Sequence, residues 1–84
     1  MTMSYFTFRK YLNEMINSTA EELCERIHNY TLNVIGGMDD IKAKKCFVNL
    51  ATKKMRTIKG KQSNETIDGF IASLELYLTA DSLL

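Results

Sequence analysis

Ile67, Phe70, Ile71, Leu74, Tyr77 and Leu78 recur at helical spacing, and no proline anywhere in the 84 residues interrupts such a pattern. Apolar side chains at i, i+3, i+4 and i+7 share one side of a helix and have to be buried against another element. A chain with four Gly and no Pro leaves long stretches free to be helical. The constraint is therefore architectural: amphipathic helices whose apolar faces close on one another.

Three further segments carry the same signature. Phe8, Tyr11, Leu12, Met15 and Ile16 predict a first helix from about Tyr5 to Ile16, capped by Ser4 or Thr7. Ser18 with Glu21, or Thr19 with Glu22, has capping-box spacing and opens a second helix. Leu23, Ile27, Tyr30, Thr31 and Val34 are its expected core stripe, and Gly36-Gly37 its end, through the left-handed conformation open to glycine. A third helix follows Asp39 or Asp40 and runs to Gly60. Ala43, Phe47, Leu50, Ala51 and Ile58 share its apolar face, with Met55 at the edge. The fourth helix starts at Ser63 or Asn64. The expected fold is all-α, a single domain over residues 1–84, built as an antiparallel bundle of three to four helices. A core this small gains from oligomerisation, so a homodimer is expected. Leu76, with Ala72, Ala80 and Leu83, forms a second, weaker stripe on the fourth helix, and Leu76, Ala80 and Leu83 are the candidate self-association residues.

Charge is distributed very unevenly. Lys42, Lys44, Lys45, Lys53, Lys54, Arg56, Lys59 and Lys61 fall in one stretch, with no Asp or Glu between Ile41 and Asn64. That stretch carries +8, and the remainder, with three basic and ten acidic residues, carries −7. Lys42, Lys45, Asn49, Lys53 and Arg56 project within about 80° of one another, opposite the apolar face. Lys44 and Lys54 fall on or beside the apolar face, where they must snorkel or meet another helix. Four fates are open to the basic face: an acidic protein, the chain's own acids, water, or a phosphate backbone. A protein partner is the preferred reading, with Lys42, Lys45, Lys53 and Arg56 as the contact residues. DNA or RNA is the alternative. It is weakened by a face that is nearly all Lys and by a pI near 7.7.

Little in the sequence carries chemistry. Cys24 and His28 are four residues apart, and Cys46 could approach them. A structural zinc site needs four ligands, and these three are the whole supply of the usual soft ones. Both thiols are read as small buried apolar groups. No phosphate-binding loop, nucleophile elbow or metal-binding His pair is present. The reading is a non-enzymatic regulator or adaptor needing no cofactor and no metal. No apolar run reaches the ~18 residues that span a bilayer, and no secretory signal is evident, so the expected compartment is the cytoplasm. Small bacterial or phage modulators, secretion co-chaperones and immunity proteins all fit that description.

The tail Leu74-Glu75-Leu76-Tyr77-Leu78-Thr79-Ala80-Asp81 resembles the end of the YmgB/AriR-type small regulators of enteric bacteria. There a Leu-Glu helix precedes Thr-x-Asp. Ile35-Gly36-Gly37 and the following Lys44 are similar to that family's helix end and Lys-bearing helix. The likeness covers about residues 21–82 and needs gaps. It departs at Thr79, which lies closer to the Leu-Glu pair, and at Lys54-Met55, where the family has Leu-Glu. The resemblance implies an all-α dimeric regulator of biofilm or acid-stress responses acting through protein contacts, with no catalytic residues.

Overall fold

The computed structural model describes residues 4–15 and 19–83, with side chains as far as Thr79. Four helices account for nearly all of them: α1 (Tyr5–Glu14), α2 (Ala20–Ile35), α3 (Ile41–Lys59) and α4 (Glu65–Leu83). Local chemistry sets each start. Ser4 Oγ accepts from the Thr7 N–H at 3.1 Å, and Thr19 Oγ1 accepts from the Glu22 N–H at 3.2 Å. Asp40 accepts from the Lys42 N–H at 2.9 Å, and Asn64 Oδ1 from the Ile67 N–H at 3.1 Å. Each side chain thus satisfies a first-turn donor that has no partner within the helix. The alternative cap Ser18 and the expected last residue of the first helix, Ile16, lie outside the described residues. α1 stops earlier than expected, because Met15 turns extended at ψ 105°.

The end of α2 also differs from expectation. Gly36 remains right-handed, at φ −62° and ψ −25°, and its N–H still reaches the Leu32 carbonyl. The chain then tightens through Met38 N–H to Ile35 O at 3.1 Å and folds Met38 back into the core. A Cβ at 36 would sit a tight 3.0 Å from the Leu32 oxygen, so glycine there eases space rather than handedness. The positive φ occurs instead at Gly60, at 70°, where α3 ends. Gly60→Ala is therefore expected to cost about 1–3 kcal/mol. Gly37→Ala, with open space around it, should stay within about 0.5 kcal/mol. Urea melts of the two variants check this.

Side-chain contacts give the helix directions. Glu21 meets Asn64 and His28 meets Ser73, so α2 and α4 run parallel. Lys59 meets Asp68 and Arg56 meets Glu75, so α3 and α4 run antiparallel. α2, α3 and α4 pack mutually, and α1 lies along α3. Tyr5 stacks on Phe47, and Lys54 bonds Asn13, so α1 and α3 are parallel. Successive helices alternate in direction, as an antiparallel bundle requires.

The core centres on Phe8, Leu12, Cys24, Ile27, Ile35, Phe47, Val48, Ala51, Met55, Ile67, Ile71 and Leu74. On α2 the buried line is Cys24, Ile27, Thr31 and Ile35, and the expected Leu23, Tyr30 and Val34 are half-buried flanks. On α3, Val48, Thr52 and Met55 join Phe47 and Ala51, while Ala43, Leu50 and Ile58 sit at the margin. Each stripe is turned toward the neighbouring helices, because α3 meets α1, α2 and α4 at once. Tyr77, expected in the α4 stripe, stays partly exposed. Among the described residues, the buried threonine hydroxyls are satisfied within their own helices, Thr31 donating to Ile27 O and Thr52 to Asn49 O.

Candidate interaction surface

The basic residues of α3 divide into three groups. Arg56 donates to Glu75 at 2.6 Å, and Lys59 to Asp68 at 2.7 Å. Helix α4 thus neutralises the far end of the basic helix. Arg56, Glu75 and Asp68 are exposed and Lys59 is half-buried, so each pair adds little stability, about 0–1 kcal/mol. Lys44 and Lys54, the two cations set against the packing face, are half-buried. The Lys44 ammonium lies 5.9 Å from the centre of the Tyr77 ring, and Lys54 donates to Asn13 Oδ1 at 3.3 Å. Both are held at helix–helix seams, as their position on the helical wheel predicts. Lys42, Lys45 and Lys53 form the third group. They are exposed, and among the described residues none has an ion-pair partner. Of the four contact residues expected from the sequence, three are open to a partner and Arg56 is already engaged by Glu75.

Beside this open stripe lies a groove that the sequence did not indicate. One cavity of about 390 Å³ is lined by Tyr5, Arg9, Leu12 and Asn13 of α1 and by Leu50, Lys53, Lys54 and Thr57 of α3. A second, of about 530 Å³, is lined by Tyr5, Cys46, Asn49, Leu50 and Lys53. They share Tyr5, Leu50 and Lys53, so they form one continuous depression. Its described walls hold three cations, and an adjoining hollow that shares Arg9 and Asn13 adds Lys10 and one carboxylate, Glu14. Lys53 belongs to both the groove and the exposed stripe. Arg9 is the residue sequence reasoning overlooked. Its signal was faint: Tyr5 and Arg9 are four apart on α1 and flank the Phe8–Leu12 face.

The thiol and imidazole groups are dispersed. Cys24 is buried as expected, but Cys46, also expected to be buried, is exposed on α3 because it lies off the packed face, and His28 bonds Ser73 Oγ through Nε2 at 3.0 Å. His28 therefore ties α2 to α4, and its ring packs near Phe70. Among the described residues no group of three or more His, Cys, Asp or Glu could hold a metal ion. No described helix is long and apolar enough to cross a membrane. Leu76 is 68% exposed, whereas the side chains of its expected partners Ala80 and Leu83 lie outside the described residues.

Two core groups make stability sensitive to alkali. Burial raises the Cys24 pKa, and burial together with nearby Tyr11 raises that of Tyr30. Between the unfolded and folded pKa of such a group, the folded state holds the extra proton, so stability falls as pH rises. The loss begins near the unfolded thiol pKa of about 8.5 and extends upward through the tyrosine range. Urea midpoints measured from pH 7 to 10.5 should decline, and Cys24→Ala should flatten the lower part of that decline.

No protein-family model matches this chain, and neither a curated protein nor a solved structure matches it.

Proposed function

We propose that this chain is a non-enzymatic regulatory or adaptor protein that binds an acidic protein through the outer face of α3. The observation that carries this is the set Lys42, Lys45 and Lys53, three exposed cations with no ion-pair partner among the described residues, beside two others that α4 has neutralised. A face meant only to balance the acidic helices would be paired along its length. A partly open one steers and orients an oppositely charged partner. The resemblance of the tail to YmgB/AriR-type regulators supports a role through protein contacts. Self-association through the exposed Leu76 face of α4 is part of the same reading, and it leaves the α3 face open.

The test is the triple variant Lys42→Glu, Lys45→Glu, Lys53→Glu. All three side chains are exposed, so its melting temperature should stay close to the parent's. Capture of the protein partner from a lysate of the encoding organism should weaken about a hundredfold, with the loss largest at low salt. Duplex DNA is the competing probe. If the parent retains DNA at low salt with a steep salt slope and retains no protein, the phosphate-backbone reading replaces this one.

A further inference from the structure

We infer that the α1–α3 groove is the specificity element of this surface, and that it seats an apolar anchor of the acidic partner segment. The inference rests on the proposed acidic-protein reading and adds the chemistry of the occupant. Leu12 forms a buried floor, Leu50 is half-buried, and Tyr5 stands exposed at the junction of the two cavities. Arg9, Lys53 and Lys54 surround this apolar strip. An occupant that satisfies both parts must itself be mixed. It carries one aliphatic or aromatic side chain for the floor and carboxylates on either side for the cations. Apolar anchors in pockets supply most of the affinity of such interfaces, while rim charges set encounter and register.

Size agrees with a short segment. From Lys42 to Lys53 the cations cover eleven residues of helix, about 16 Å at 1.5 Å per residue. That corresponds to three turns of a partner helix or about five extended residues. Nucleic acid fits the groove less well. Single strands are held by successive aromatic platforms, and here one tyrosine is available, already stacked on Phe47.

Fluorescence anisotropy tests the assignment with three labelled probes. One is a short synthetic peptide with a single phenylalanine flanked on both sides by glutamates. The second replaces that phenylalanine by serine, and the third is an oligothymidylate of similar length. The first peptide should bind best, and loss of its phenylalanine should weaken it about tenfold. Arg9→Glu should weaken it about tenfold, and Arg9→Gln by less. Lys42→Glu, outside the groove, should weaken both peptides equally. Thermal melts of each variant establish that Arg9, an exposed residue, has not been replaced at the expense of the fold. If both peptides bind alike and Arg9→Glu changes nothing while Lys42→Glu does, the groove assignment fails and the acidic-partner reading stands. If neither peptide binds, or the oligothymidylate binds more tightly, both fail.

Discussion

Phe8→Ala is expected to remove about 3–5 kcal/mol of folding stability. Phe8 is fully buried, 4.7 Å from the Phe47 ring and 5.6 Å from the Tyr30 ring, centroid to centroid. Leu12 is the other fully buried side chain of α1, so α1 is held by two anchors. Truncating the larger leaves a cavity between three helices and forfeits two ring–ring contacts. A domain of this length holds roughly 5–10 kcal/mol in all, so one substitution takes a large share. Urea unfolding followed by circular dichroism gives the number. A loss below about 1 kcal/mol would mean that α1 does not pack on α2 and α3 as described. The groove depends on the same anchor. Phe8→Ala should therefore also abolish anchored-peptide binding, whereas the exposed Phe6 beside it can be replaced without either effect.

The contrast between helix starts and helix faces shows what could be read from residues alone. Ser4, Thr19, Asp40 and Asn64 cap because a short side-chain oxygen reaches donors two or three residues on, a local event. The faces were legible only to within about one residue of rotation. Bulky Leu23, Tyr30 and Leu50 drew the expected stripes toward themselves, while Cys24, Val48 and Thr52 occupy the buried line. A helix meeting neighbours on two sides buries a wider arc than one stripe describes. The α1–α3 groove was less legible still. It exists because α1 returns parallel to α3 and brings Arg9 beside Lys54, 45 residues away. No spacing rule relates such residues. The exposed stripe was legible, because residues eleven apart on one helix keep a known angle. That Arg56 would be taken by Glu75 was not, since it depends on how α4 docks.

Charge and apolar surface therefore divide the molecule in different ways. Glu75 and Asp68 of α4 meet the C-terminal part of α3, and α1 brings a further cation, Arg9, beside Lys53 and Lys54. The open basic surface is thus the joint product of α1 and α3, with Lys53 at their meeting line. Tightening the α3–α4 contact would leave Lys53 open, because Lys53 lines the α1 side of α3.

Two aspartates placed two residues apart on α4 should have opposite consequences. Leu74 is fully buried, and Leu74→Asp puts a carboxylate into the apolar core. Loss of apolar burial, the residual void and the desolvated charge together cost on the order of 5 kcal/mol, enough to unfold a domain of this size. Circular dichroism should show a largely unfolded chain at neutral pH, with some recovery as acid neutralises the carboxylate. Leu76 points the other way and is 68% exposed, so Leu76→Asp should change monomer stability by less than about 0.5 kcal/mol. Its effect belongs to association. If α4 pairs with a second copy through this face, light scattering of the parent should exceed the 9.6 kDa of one chain, and Leu76→Asp should return it to that mass. A parent that scatters as one chain at high concentration would remove self-association from the proposed function. It would leave the basic face and its groove untouched, because the two surfaces lie on different helices.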